Sequence, residues 1–337
     1  MLINIPKSVI SENFSYIKVV KWRSLAIRSS WWRVGGSRQG WIGTDAFTSY
    51  HEYEDTSNKL HWLLHLFSSK MNMIKKGIAL VKKILLSVAG YDPTSGAGVL
   101  LDVNVFRFLN FVGMAILTSV TSQNTKAVNE IHSLPPEFLW SQYQLIREDV
   151  SLSGIKVGMV ASKENIQVVA RILSQHSSIP RVIDPVFKSS SGQWLIDRDV
   201  LSSYIQAIKG KATLLTPNLE EAALISRNRV RTADEMKEAA EKIYQITRIP
   251  CLVKGGHLPK KKIDFLFDGK EFFALEKEEI RTRVHGTGCF FSSSLLAYLA
   301  KGNPLDKAFF LASKLTQRAI RKAQAIGKGQ HIISLPL

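Results

Sequence analysis

Cysteine is scarce in this chain: only Cys251 and Cys289 occur among 337 residues. Their spacing matches neither a disulfide framework nor a zinc pattern, so a reducing, cytoplasmic setting without structural zinc is expected. No uninterrupted apolar run approaches the roughly 18 to 20 residues that span a bilayer, which excludes an integral helical membrane protein and any membrane partner of that kind. The GxxxxGK[ST] spacing of a P-loop is missing too, so phosphate cradling of that type is excluded. Acidic residues are outnumbered, 28 against 45 basic, for a formal charge of +17. Lys and Arg are scattered instead of gathered in one tract, and the excess describes a solvated basic surface without a nucleic-acid partner.

What is present falls into two unlike parts. Five of the seven tryptophans (Trp22, Trp31, Trp32, Trp41 and Trp62) stand before residue 70, in a stretch without sustained helical or alternating period. Three readings of it stand: a start-site artefact or dispensable tail upstream of Met71 and Met73, a targeting peptide, or a partner-binding arm. The targeting reading draws on the first 44 residues, where Glu12 is the single acidic residue. The expected boundary separates an N-terminal extension, 1–72, from a catalytic domain, 73–337.

From Ile84 onward, short β-branched runs alternate with longer amphipathic ones, the mark of repeated βαβ units around a mostly parallel sheet. Strands are expected at Ile84–Ala89, Met114–Val120, Gly154–Gly158, Arg181–Asp184, Thr213–Thr216 and Cys251–Lys254. A hairpin is expected around Asp268-Gly269, and helices begin near Thr287 and Pro304.

The chemistry-bearing residues cluster where these strands end. The first strand leaves through Gly90, turns at Asp92-Pro93 and enters a helix through Gly96-Ala97-Gly98. Such glycines serve either the turn itself or the approach of backbone N–H groups to an anion. Asp102, amid Val99, Leu100, Leu101 and Val103, reads as a helix N-terminal charge near solvent or as a receiver of a substrate hydroxyl. Near the end of the chain, Gly286-Thr287-Gly288-Cys289 opens another helix, whose first amides and dipole favour an anion. The same dipole would lower the Cys289 thiol pKa; a small buried cysteine at a tight helix start is the plainer alternative. Asn218, Glu220 and Glu221 read as helix-start residues, or as a carboxylate and amide holding Mg²⁺ through water. Asp184-Pro185 and Lys254-Gly255-Gly256 end two further strands, and ligand sites of open α/β sheets collect at such ends. Cys251 reads as a core thiol. His257 and His285 read as turn histidines held by hydrogen bonds, or as phosphate contacts, and Lys260 to Lys262 form a loop charge run, solvated or helping to hold nucleotide.

In order and spacing, "AGYDPTSGAG", "TSQNT", "KVGM", "IDPV", "TPNLEEA", "VKGGH" and "HGTGC" resemble the bacterial hydroxymethylpyrimidine/phosphomethylpyrimidine kinases of thiamin synthesis, a ribokinase-like family. The resemblance runs from about residue 83 to the C-terminus. It implies a three-layer α/β fold, a mostly parallel central sheet with helices on both faces, and a homodimer. It also implies ATP-dependent phosphorylation of 4-amino-5-hydroxymethyl-2-methylpyrimidine to the monophosphate, then of the monophosphate to the diphosphate. Carried onto this chain, it places Gln123 on the aminopyrimidine edge, with Gly90, Ala97, Asp102, Met159 and Val186 lining the same pocket. Asn218 and Glu221 would orient Mg²⁺ and phosphates, Asp184 would stand near the metal and Lys254 toward the nucleotide. Gly286, Thr287 and Gly288 would form an anion hole, with Cys289 where sugar-phosphorylating relatives carry an aspartate base.

Departures from the family pattern fall at three places. Tyr91 replaces a threonine, the segment Phe187-Lys-Ser-Ser-Ser-Gly192 alters the flap that contains Lys188, and Phe290 replaces the usual threonine. A pyridoxal kinase of the same fold is the rival enzyme, against which Gln123 and Met159 favour a pyrimidine. A non-catalytic pyrimidine-binding module is the rival of another class, and intact Asn218, Glu221, Lys254 and Cys289 argue against it.

Overall fold

A computed structural model of the chain describes residues 83–335, apart from 190–191, 197–199, 257 and 259–261. The N-terminal extension and its expected boundary lie outside the described residues.

The strands are β1 (Ile84–Tyr91), β2 (Val112–Gln123), β3 (Val128–Ser133), β4 (Leu152–Val157), β5 (Arg181–Ile183), β6 (Leu214–Leu215), β7 (Cys251–Val253), β8 (Lys262–Phe267), β9 (Phe272–Lys277), β10 (Val284–His285) and β11 (His331–Ile332). The helices are α1 (Gly98–Phe108), α2 (Pro136–Asp149), α3 (Lys163–Ser174), α4 (Val200–Ile208), α5 (Leu219–Ser226), α6 (Ala233–Thr247), α7 (Thr287–Ala300) and α8 (Leu305–Arg321). Nine strands form one sheet in the order β3-β2-β1-β4-β5-β6-β7-β8-β9. Its centre is parallel from β2 to β7, and β3, β8 and β9 pair antiparallel at the edges. β10 and β11 make a separate parallel pair.

The parallel strands are short and almost wholly apolar because both faces are covered. Alternate residues point to opposite sides. Leu85, Val182, Leu214, Leu252 and Leu266 pack with Leu101 and Val105 of α1, Phe290 and Leu295 of α7, and Ala308 and Ala312 of α8. Leu86, Ile183, Leu215, Cys251, Val253 and Phe265 face the other way, against Tyr143, Ile166, Tyr204, Ala222 and Met236 of α2 through α6. Three layers result, as expected. The sequence reading also located the β8–β9 hairpin, whose turn is held by Asp268 accepting from the amides of Lys270 at 2.7 Å and Glu271 at 2.8 Å. It missed β3, a largely exposed edge strand without an apolar run.

Helix α7 is buried nearly all round, from Phe290 through Ala297. It cannot slide along the sheet without disturbing both neighbours, so its N-terminus is held at the carboxyl ends of the parallel strands.

Candidate active site

Asp184 follows the last residue of β5, with its amide donating to the Val157 carbonyl at 2.9 Å. One carboxylate oxygen, Oδ1, accepts from Lys254 Nζ at 2.6 Å and from Thr216 Oγ1 at 3.1 Å. The other, Oδ2, accepts from Ser292 Oγ of α7 at 3.4 Å. Burial would raise the Asp184 pKa, but Lys254 and Lys156 outweigh it and hold the carboxyl below its ordinary value. Burial would likewise lower the Lys254 pKa, while Asp184 and Glu221 raise it, so the ammonium is retained.

Gly288 closes this cluster from above. A Cβ there would lie 3.2 Å from Lys254 Nζ and 3.4 Å from Asp184 Oδ2, so the missing side chain leaves a space facing both charges. Gly286, the N-cap of α7, adopts φ +73 and no side chain caps the helix. The first helical bond runs from the Phe290 amide to the Gly286 carbonyl at 2.9 Å. The amides before it have no partner within the helix, as at any helix start. Open backbone donors, a positive helix end and a lysine thus bound one glycine-lined space, which fits a phosphate group.

Asn218 and Glu221 form a reciprocal capping box at the start of α5: the Glu221 amide donates to Asn218 Oδ1 at 2.9 Å, and the Asn218 amide to Glu221 Oε2 at 2.7 Å. Burial pushes the Glu221 pKa up; nearby Asp184 adds to this and Lys254 opposes it. Among the described residues, no group of three or more His, Cys, Asp or Glu side chains is placed to hold a metal ion. Direct ligation by a full protein cage is therefore not what Asp184 and Glu221 offer. The ionised Asp184, with Glu221 pushed up to about 8 before a cation binds, suits a Mg²⁺ ion that keeps most of its water.

The loop from Gly90 to Gly98 forms the other wall. A Cβ on Gly90 would stand 2.7 Å from Met159 Cε and 2.9 Å from Ser119 Oγ, so Met159 lies directly over the turn. Gly98 has φ +61 and packs on the Gly90 carbonyl, while Gly286 packs on the Gly96 carbonyl, leaving neither site room for a side chain. Asp92, in the middle of the loop, accepts from the Thr94 amide and Thr94 Oγ1, each at 2.8 Å, and lies 2.7 Å from His285 Nε2. Burial would raise its pKa, but hydrogen bonds from His285, Gln123 and Thr94 lower it below the ordinary value. Gln123 at the end of β2 and His285, the residue preceding Gly286, thus both act on Asp92. Ala97 is the N-cap of α1, and the Val186 amide donates to the Asp184 carbonyl at 2.9 Å.

Two sequence expectations are corrected. Asp102 is neither near solvent nor open to a substrate: it is 0% exposed, and its oxygens accept from Ser87, Lys156 and Ser293 at 2.5 to 2.9 Å. The Cys289 thiol is not acidified. Although the side chain keeps some exposed surface, burial pushes it up to about 11; Lys156 pulls it down, Asp102 and Asp184 push it up, and a hydrogen bond from the Gly98 amide lowers it. Desolvation thus outweighs the favourable charge of a helix start. Cys251 is a core thiol, as expected.

Lys156 escaped the sequence reading although a signal existed. A lysine inside the apolar run Ile155-Lys-Val157 must find a buried counter-charge, and Asp102 among leucines is the matching anomaly. Lys188 of the altered flap pairs with Glu220 at 2.9 Å and lies 4.8 Å above the Trp194 ring. Lys262 donates to the Leu258 carbonyl at 2.6 Å. His257, Lys260 and Lys261 lie outside the described residues.

The family model for phosphomethylpyrimidine kinase matches residues 92–334. The hydroxymethylpyrimidine/phosphomethylpyrimidine kinase of Aquifex aeolicus is 35% identical over 256 residues, covering 74% of this chain and 99% of that protein. Among solved structures, the phosphomethylpyrimidine kinase of Clostridium difficile 630 aligns with a TM-score of 0.63 at 31% identity, covering 71% of this chain and all of that one. The pyridoxal kinase of Staphylococcus aureus in complex with pyridoxal aligns with a TM-score of 0.70 at 26% identity, covering 75% of this chain and 93% of that one. The same kinase has been solved in complex with AMP-PCP.

Proposed function

The chain belongs to the phosphomethylpyrimidine kinase family, and from that premise we propose that it phosphorylates 4-amino-5-hydroxymethyl-2-methylpyrimidine with ATP, then phosphorylates the monophosphate to the diphosphate. The observation that carries this reading is the space at Gly288, bounded by Lys254, Asp184 and the uncapped start of α7.

Phosphoryl transfer asks for in-line positioning and neutralisation of charge on the transferred group more than for covalent chemistry. ATP supplies the phosphoryl group, and bound Mg²⁺ would supply neutralisation of its oxygens. Lys254, fixed by Asp184, presents its ammonium to the phosphates, and the amides of Thr287, Gly288 and Cys289 receive negative charge as it develops. Asp184 and Glu221 would hold Mg²⁺ through its water. In its ionised form, the minor species near neutrality, Cys289 takes the proton of the hydroxymethyl group and becomes the neutral thiol as the alcohol oxygen bonds to phosphorus and the bond from phosphorus to the ADP oxygen breaks.

Gln123 selects the aminopyrimidine. Gln123 lies close enough to Asp92 to lower its pKa, and an ionised carboxylate can only accept, so the Gln123 NH₂ group is the one turned toward Asp92 in this reading. The amide oxygen is left for an exocyclic amine, and the second N–H for a ring nitrogen. Gly90 and Met159 form the wall against which a flat ring lies.

A coupled ADP-release assay tests the proposal with hydroxymethylpyrimidine, its monophosphate and pyridoxal. Turnover of both pyrimidines is expected, with pyridoxal slower than either. Turnover of pyridoxal alone would make this a pyridoxal kinase, and no ADP above background with any of the three would overturn the enzyme reading.

A further inference from the structure

Lys156 and Asp102 are both 0% exposed, and their charged groups meet at 2.8 and 2.9 Å. Nothing in the proposed chemistry uses them directly. A buried ion pair is a poor source of stability, since apolar residues of similar volume often do as well or better. Its location is informative. Asp102 Oδ1 also accepts from Ser293 Oγ at 2.7 Å, and Oδ2 from Ser87 Oγ at 2.5 Å. One carboxylate therefore ties together α1, β1, β4 and α7.

Ser293 stands four residues after Cys289 on α7, so the two project from the same face one turn apart. Gly158 leaves room for the ammonium, because a Cβ there would lie 3.0 Å from Lys156 Nζ. Fixed charges beside a buried thiol decide how readily it ionises. The charged groups acting on Cys289 are Lys156 from β4, Asp102 from α1, Asp184 after β5 and Lys254 after β7. Lys156 acts on the thiol in the opposite sense to the two carboxylates.

We propose that Lys156 and Asp102 form a positioning pair for Cys289: Asp102 holds the first turns of α7 through Ser293, and Lys156 is the buried cation that stabilises the thiolate. The pair touches neither substrate nor nucleotide. The proposal rests on the functional reading above only in giving the thiolate a use.

The test is alkylation of Cys289 by iodoacetamide in the free full-length protein, followed by peptide mass spectrometry so that Cys251 is scored separately. It needs neither substrate nor turnover, and its outcome is independent of whether the chain phosphorylates a pyrimidine. At pH 9 the thiolate is the minor species, so the rate follows its population. Lys156→Met removes the stabilising cation and should slow alkylation about ten-fold, equivalent to about one pH unit. Asp102→Asn removes the opposing anion while keeping the shape, and should accelerate it by about three-fold or more. Loss of packing alone would move both variants the same way. If Lys156→Met does not fold, Asp102→Asn carries the sign by itself. Rates shifted in one direction for both variants, an Asp102→Asn rate at or below wild type, or rates within about two-fold of wild type for both with unchanged circular dichroism, would overturn the proposal.

Discussion

Lys254 Nζ and Asp184 Oδ1 stand 2.6 Å apart, though 70 residues separate them in sequence. They project from the ends of β7 and β5, with Thr216 beyond β6 completing the contact. The lysine neutralises a buried carboxylate and, in the mechanism proposed above, also presents charge to a phosphate.

Lys254→Met separates these roles by pH. Removing one partner leaves Asp184 buried and unpaired, and breaking such a pair costs about 3 kcal/mol at neutral pH. Because the folded Asp184 pKa lies below its ordinary 3.8, the stability it contributes is present above that value and is lost as pH falls through the folded pKa. Urea melts should show the variant well below wild type at pH 7 and the gap closing below pH 3.8. Turnover should fall for both phosphorylations, since both use the same donor.

Asp92→Asn should show itself in substrate recognition. Asparagine can accept or donate, so Gln123 is no longer held in one orientation. Losing a hydrogen bond to a charged group is worth about 1.5 kcal/mol, or about ten-fold. Initial rates should give KM for hydroxymethylpyrimidine raised about ten-fold with kcat changed by less than about three-fold. An unchanged KM would remove Asp92 from the recognition of the ring.

Much of this architecture is legible in the sequence because its determinants are local. Apolar runs such as Ile84–Ala89 identify parallel strands, and glycine, proline and capping residues mark the ends where Asp184, Asn218 and Lys254 stand. The Asp268-Gly269 turn needs only its own side chain. What escaped is tertiary. Asp92 and His285 are 193 residues apart, and Lys156 lies 54 from Asp102; no period or spacing pairs them. Which of the two readings of Cys289 holds was hidden for a related reason. The helix start is visible in "HGTGC", but the protein that buries the sulfur comes from elsewhere in the chain, and burial decides the sign of its shift.

That sign has a kinetic consequence. A thiol with a pKa of about 11 is mostly protonated near neutrality, and its basic form increases tenfold per pH unit below that value. Under single-turnover conditions, log rate for the hydroxymethyl substrate should rise with a slope near one from about pH 7 to about pH 10. The monophosphate is already anionic at its acceptor oxygen, and its profile should be nearly flat over the same range. Parallel profiles would mean that Cys289 ionisation does not limit the first step.

The most direct measurement is the rate of each phosphorylation in Cys289→Ala, followed separately by single turnover with the alcohol and with the monophosphate. General-base catalysis contributes about 10²- to 10⁴-fold, so the first step should fall by about that much while the second stays within about three-fold of wild type. Equal losses in both steps would contradict a proton-accepting role and leave the thiol as a packing neighbour of the anion site.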